Sequence, residues 1–330
     1  MKIAVCADIH AHNYSQYSHI TDKGLNSRLD WILRVLDEIT NYAVKRELDA
    51  IVIAGDLFES RKSIDVAVLD SVYKVLSNTD IPLYIVKGNH DISYRGGNRY
   101  SISIFNKIAN VITTAKVLTI ANTNVGFLPW TEDTNVIHKA LKLFQTNKVK
   151  YVIGHLALSG GYVGSHEYLV EGKVEPVLFR KFEWVALGHY HKHQKIRNNI
   201  YYVGSPIQHT WGETGDEKGF MVFSSSSKPR FIMLPDFPRF VRVRNKEDLS
   251  NVRDIDYVKV IGSRDDVDKL ELPKTVKRIE VIERELEHKP RIEFDNTSRR
   301  SILKTYIEHF PQEFVDPEFL LEAGLDYLKD

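Results

Sequence analysis

The stretch Glu183-Trp184-Val185-Ala186-Leu187-Gly188-His189-Tyr190-His191 sets an apolar run against two histidines spaced by one residue. Such a run reads as a strand buried on both faces, where hydrophobicity is continuous and does not alternate. The same arrangement recurs four times upstream. Residues 2–7 (KIAVCA) precede Asp8-Ile9-His10, and residues 49–54 (DAIVIA) precede Gly55-Asp56-Leu57-Phe58. Residues 81–87 (IPLYIVK) precede Gly88-Asn89-His90-Asp91, and residues 150–153 (KYVI) precede Gly154-His155. In open α/β sheets, ligands gather beyond the carboxyl ends of strands. Residues far apart in sequence therefore converge on one crevice.

Asp, Asn and His offer oxygen and imidazole donors and no thiolate. That mixture suits manganese, with magnesium, iron or zinc as alternatives, better than copper(I) or an iron–sulfur cluster. Two divalent ions about 3.5–4 Å apart need a bridging group, and a carboxylate has two oxygens to give. Asp56 is the candidate bridge. One ion would take Asp8, His10, Asp56 and His191, and the other Asp56, Asn89, His155 and His189. In an extended segment, alternate residues point the same way. That would aim Asp8 with His10, and His189 with His191, while Tyr190 points away. Taken singly, Asp56 and Asn89 could be turn residues and His155 a structural histidine. The five motifs together, each following a strand, carry the metal reading.

The set DxH, GDLF, GNHD, GH and GHxH resembles the calcineurin-like metallophosphoesterase superfamily. Within it, the chain is most similar to the SbcD-type DNA repair exonucleases, bacterial or phage, and to their archaeal and eukaryotic double-strand-break counterparts. The resemblance covers roughly residues 1–235. Protein phosphatases carry GDxVDRG and GNHE where this chain has Gly55-Asp56-Leu57-Phe58-Glu59-Ser60 and Gly88-Asn89-His90-Asp91. Tyr202-Val203-Gly204-Ser205-Pro206 resembles the YPGSP stretch of SbcD proteins. Ala11-His12 departs from the Leu-Gly usual in those relatives.

The resemblance implies a two-layered β-sandwich flanked by helices, a small α+β cap and a C-terminal helical hairpin. It implies that His90 acts near the leaving group without binding metal. Histidine titrates near neutrality and suits that task. Asp91 is expected beside it as a second catalytic residue, orienting His90 or holding the loop. His12, Arg61, Tyr94, Arg95 and Ser205 are the candidate substrate contacts, with His209 and Trp211 as possible cleft residues.

The net charge of the 330 residues is +1, which does not favour tight DNA binding by this chain unaided. Bound metals or a partner would supply positive charge. No apolar run approaches the roughly 20 residues needed to cross a bilayer. The start MKIAVCADIH reads as a first strand, not a signal peptide. The single cysteine, Cys6, excludes a disulfide within one chain and fits a reducing cytoplasm, a host's if the chain is phage-encoded.

Helices are expected over residues 26–46, 63–76 (with Ser63 as N-cap), 101–109 and 135–144. Strands are expected at 200–203, 219–224 and 230–234. Residues 1–235 form the expected nuclease domain, 236–296 the cap and 297–330 the hairpin. In that hairpin Leu303, Tyr306, Ile307 and Phe310 would share one face, and Leu321, Leu325 and Leu328 another. By resemblance the hairpin docks an SbcC-type, SMC-like ATPase, with the chain as a homodimer inside a heterotetramer. The expected activity is manganese-dependent cleavage of DNA, as exonuclease on duplex ends and endonuclease on single-stranded or hairpin DNA. A phosphodiesterase on a small substrate and a non-catalytic metal-bound scaffold are the rivals.

Overall fold

Alternate side chains of the first strand, β1 (Lys2–Cys6), enter different cores. Ile3 and Val5 face one, Ala4 and Cys6 another. That is the period-two geometry of a strand covered on both sides. The structure is a computed structural model that describes residues 1–94, 99–164, 168–261, 281–282, 299–309 and 315–327. Two compact units result, one built on Met1–Val260 and one holding the C-terminal helices.

In the first unit, α1 (Ser27–Lys45), β2 (Ala50–Ile53), α2 (Val66–Ser77), β3 (Leu83–Val86) and β4 (Asn110–Ile112) follow β1. β1 pairs parallel with β2, β2 with β3, and β3 with β4. β13 (Gly219–Ser224) and β14 (Arg230–Met233) return to complete a six-stranded sheet in the order β14-β13-β1-β2-β3-β4. They form the expected hairpin around residues 224–229.

The second six-stranded sheet has the order β11-β12-β10-β7-β6-β5. Its strands are β5 (Lys116–Ile120), β6 (Thr123–Leu128), β7 (Tyr151–His155), β10 (Trp184–Gly188), β11 (Gln194–Arg197) and β12 (Ile200–Tyr202). The short strands β8 (Tyr162–Val163) and β9 (Tyr168–Leu169) pair with each other.

Val5, Val52 and Val86 of one sheet join Phe127, Ile153 and Trp184 of the other in a shared core. α1 and α2 cover the far side of the first sheet, and α3 (Thr134–Thr146) that of the second. The result is the expected sandwich of two sheets flanked by helices.

Two local expectations need correction, and one element was missed. Asp65, not Ser63, caps α2; its side chain accepts from Ala67 N–H, and the helix starts at Val66. Residues 101–107 form a 3-10 helix. The β5–β6 hairpin was not foreseen. Its two-residue turn, Ala121-Asn122, has φ of 42° and 60°, as a type I′ turn requires.

β15 (Phe240–Val243) and β16 (Tyr257–Ile261) run parallel, linked through α4 (Lys246–Ser250). Asp256, at the foot of β16, is clamped by Arg239 and Arg253. Each guanidinium reaches the carboxylate, at 2.7 and 2.8 Å, and each arginine also donates its backbone N–H.

In the second unit, α5 (Arg299–His309) and α6 (Pro317–Tyr327) pack together, with an Arg300–Glu322 ion pair at 3.0 Å. Leu321 is buried and Leu303, Ile307 and Leu325 half-buried, but Tyr306 is 55% exposed and leaves the face expected for it. Phe310 and Leu328 lie outside the described residues. Residues 276–282 also read as a strand in sequence, and of these only Val281–Ile282 are described, as strand.

Candidate metal centre

Four of the seven donors sit on kinks, not on extended chain. Asp8, His10 and Asp56 have φ of 55°, 48° and 53°, and His189 has 114°. Left-handed backbone at a non-glycine residue costs about 1–3 kcal/mol and persists only where its surroundings enforce it. The pairs named by the period-two expectation are thus set by kinked backbone and not by an extended segment. The kinks are held across the first sheet. Asp8 N–H donates to the Gly55 carbonyl at 3.0 Å, and His10 N–H to that of Asp56 at 3.0 Å. Neighbouring glycines allow the close approach. A Cβ on Gly88 would lie 2.1 Å from Asp56 Oδ1, and one on Gly55 2.1 Å from His155 Nδ1.

All seven expected ligands converge. Asp8, His10 and His191 place a donor atom each within 4.8 Å of one another, as do Asp8, Asp56 and His155. His155 Nε2 lies 3.0 Å from Asn89 Oδ1, and His189 Nδ1 2.9 Å from the same oxygen. Asp56 Oδ2 stands between the halves, 3.8 Å from His10 Nε2 and 3.4 Å from His155 Nε2. One oxygen of Asp56 thus faces both halves, because Oδ1 accepts His90 N–H at 2.8 Å. Tyr190 points away, into the second-sheet core, and donates to the Leu158 carbonyl.

The donor set fits a cation pair. His155 Nδ1 faces the Ala54 carbonyl at 2.8 Å, so it carries a proton, and Nε2, 3.0 Å from Asn89 Oδ1, is the nitrogen left for a metal to take. Likewise His191 Nδ1 faces Glu213 Oε1 at 3.1 Å, leaving Nε2 to face His10 Nε2 at 3.1 Å. The two nitrogens converge closely enough to share a proton or to be turned together onto one cation. Nitrogen and oxygen donors without sulfur suit manganese, iron, zinc or magnesium.

The charges are strongly coupled. Burial acts to lower the His155 imidazole, but the Asp56 carboxylate outweighs it and lifts the value to about 9. Asp56 is correspondingly held well below the carboxylate range, despite burial. His189 is driven down to about 3, first by burial and then by His155. The Glu59 carboxyl is held at about 2, chiefly by His10.

His90 is 28% exposed in its side chain, and its Nδ1 donates to the Glu59 carbonyl at 2.7 Å, which frees Nε2. It too lies within 4.8 Å of His10 and Asp56, so proximity alone does not set it apart from the ligands. Of the two roles expected for Asp91, its hydrogen bonds are those of a residue that holds the loop. Fully buried, it accepts from Gly88, Asp56 and Leu57 N–H at 2.7, 3.0 and 3.3 Å. Ser205 is corrected from substrate contact to support. It is 1% exposed and donates to Glu213.

His12 packs edge-on against Tyr14, and Arg61 and Tyr94 are exposed in loops. Arg95 lies outside the described residues. His209 does not line a cleft. It is buried under the site, and its Nε2 donates to the Asp8 carbonyl at 3.0 Å. Arg28 holds it from below, donating to the His209 carbonyl at 2.7 Å and lying 4.0 Å from the Tyr14 ring centre.

Three supports were not foreseen: Glu59, Glu213 and Trp130, whose ring stacks on His189 with centroids 4.7 Å apart. Glu59 follows the second motif directly, a signal that was available. Trp130 and Glu213 sit at the ends of other segments and carry no local signature.

The family model for calcineurin-like phosphoesterases matches residues 1–193. Exonuclease subunit 1 of Enterobacteria phage T4 is 24% identical over 62% of this chain and 62% of its own length. The SbcD component of nuclease SbcCD from Staphylococcus saprophyticus is 30% identical over 57% of this chain and 58% of its own. The chain thus spans about three fifths of the curated relatives it matches. A solved dimetal phosphatase from Danio rerio is 10% identical with a TM-score of 0.41, over 67% of this chain and 91% of that one, a likeness of fold at most. No described helix is long and apolar enough to cross a membrane. The family match takes in every one of the seven converging donors, and the chain belongs to the calcineurin-like phosphoesterases.

Proposed function

We propose that this chain is a two-metal DNA nuclease of SbcD type. It acts as an exonuclease on duplex ends and an endonuclease on single-stranded or hairpin DNA, in repair, recombination or replication. The observation that carries the reading is the seven-donor crevice with an eighth, non-ligand histidine beside it. Its support from comparison is that the T4 and staphylococcal relatives are named as nucleases.

Asp8, His10, Asp56 and His191 would hold one ion, and Asp56, Asn89, His155 and His189 the other. Manganese is the proposed metal, and the pair supplies an activated water and charge neutralisation at the phosphate. The chain's own residues do the rest. Asp56 fixes the spacing of the two halves, and its Oδ1 orients the His90 backbone. With Nδ1 committed to the Glu59 carbonyl, His90 presents Nε2 to the departing oxygen. Asp91 ties the second and third motifs into one rigid loop pair. Arg61, Tyr94, Arg95 and His12 are proposed as DNA contacts from the rim.

Residues 1–235 are proposed as the nuclease domain and 236–296 as a cap. The 297–330 hairpin is proposed to dock an SbcC-type ATPase, with the chain dimeric in a cytoplasmic heterotetramer.

The test is incubation of the purified chain with manganese and an end-labelled linear duplex, alongside its His189→Ala and His90→Ala variants. Stepwise shortening that both variants lose is the expected result. Shortening that persists undiminished in His90→Ala removes its catalytic role. A small phosphodiester cleaved while DNA stays intact, even with the ATPase added, favours a small-substrate phosphodiesterase.

A further inference from the structure

The two halves of the metal crevice are backed unequally. His191 and His10, the imidazoles of one half, each turn Nδ1 to a carboxylate: Glu213 Oε1 at 3.1 Å and Glu59 Oε2 at 2.6 Å. In the other half, His155 turns Nδ1 to the neutral Ala54 carbonyl, and His189 lies against the face of Trp130. A carboxylate behind an imidazole fixes its tautomer and orientation and strengthens the opposite nitrogen as a donor. Losing such a partner typically weakens metal binding about 10–100-fold.

Glu213 is the better built of the two carboxylates. It is 5% exposed, and its Oε2 meets Lys218 Nζ at 2.7 Å. Lys218, 7% exposed, also donates to the His191 carbonyl at 2.8 Å and to Ser205 Oγ at 3.0 Å. The pair therefore grips His191 by ring and by backbone together. The Glu59 side chain is 37% exposed, and its short contact with His10 is off-line for a hydrogen bond. A buried ion pair loses its hydration, and it is a poor source of net stability. Here the desolvation secures the direction in which one ring nitrogen points.

We propose that Glu213, held by Lys218, is a positioning residue that presents His191 Nε2 to the metal and makes the Asp8–His10–His191 half the tighter of two unequal sites. The inference rests on the reading of the crevice as a metal pair. Glu213 contributes through His191 alone and touches no reacting atom.

Metal-free protein is titrated with Mn2+ while free ion is followed by electron paramagnetic resonance. Wild type shows two classes of site separated by about tenfold or more. Glu213→Gln, which keeps the side-chain volume, weakens the tight class about 10–100-fold and leaves the weak class within about twofold. The double variant Glu213→Gln/Lys218→Met leaves no unpaired ammonium in the interior and shows the same loss. Thermal melting of the metal-free variants reports their folding.

Nitrogen-15 spectra of histidine-labelled, metal-free protein give a second readout. His191 carries its proton on Nδ1 in wild type and shows mixed tautomers in both variants, which a purely structural role would not produce. Equal affinities in wild type, loss confined to the weak class, or unchanged tight binding in the double variant overturns this inference alone. A wild type that binds no Mn2+ overturns the metal reading with it.

Discussion

Buried charge is treated in opposite ways in the metal crevice and in the knot around Asp256. The Asp256 side chain, 0% exposed, is met by two guanidiniums and two backbone N–H groups, so its lone pairs are answered from within the chain. In the crevice, His10 and His191 point ring nitrogens at each other, and His155 points one at the Asn89 oxygen. His10 Nδ1 is left buried there without a hydrogen-bond partner. Native interiors satisfy their polar groups, and departures concentrate at functional sites. A charge cluster that completes itself holds the fold, and one left to be completed from outside binds something.

The largest expected effect comes from breaking the crevice. Asp56→Asn lowers phosphodiester hydrolysis about a thousandfold or more. The same variant loses most of the stabilisation that Mn2+ gives wild type, about 2.7 kcal/mol at a hundredfold excess over Kd. Melting with and without Mn2+ reads both halves of that claim, and a full Mn2+ response in the variant would count against Asp56 as the bridge.

Breaking the knot gives the reverse pattern. Asp256→Ala costs about 2 kcal/mol, discounted because its arginines are 41% and 33% exposed in their side chains. Hydrolysis and the Mn2+ response stay as in wild type. Burial opposes ionisation of Asp256, but the two arginines outweigh it and hold the carboxyl below its ordinary value. A depressed carboxyl stabilises fully above its unfolded value and loses that contribution as pH falls through the folded one. The gap in melting temperature between wild type and Asp256→Ala therefore closes in acid, and a gap that widens there would contradict it.

Asp91 sharpens the comparison because it belongs to both kinds. Burial, and then Asp56, push its carboxyl up to about 6, yet it accepts from three backbone N–H groups. Asp91→Asn turns one acceptor into a donor facing those groups. It is expected to cost about 1–3 kcal/mol of stability and to lower activity as well, measured by chemical denaturation beside turnover. The smallest effect is at the rim. Arg61→Ala changes stability by less than about 0.5 kcal/mol. It reduces the salt dependence of DNA binding by about one charge.

The converging donors were legible because each stands at the end of a strand that sequence alone reveals, and because Asp, Asn and His have few reasons to cluster in that order. Their aim was not legible. It depends on left-handed backbone at Asp8, His10, Asp56 and His189, which no local pattern of non-glycine residues announces. Glu213 and Trp130 escaped notice because their partners, His191 and His189, are brought near by the fold and not by spacing along the chain. Ser205 was misread for a related reason. A serine in a loop after the last motif looks available to substrate, and only the buried Glu213–Lys218 pair shows where its hydroxyl goes. The β5–β6 hairpin was missed because Ala121-Asn122 lacks the glycine that usually marks a type I′ turn.

Cys6 lies in the middle of the first sheet, 0% exposed, with its thiol pushed up to about 12 by burial. Because it is the sole sulfhydryl in the chain, it acts as a clock on global opening. A thiol reagent should leave the folded protein unmodified and react only at the rate at which the central strands part. A probe cysteine introduced on the surface would then take up label alone, without removal of the native one.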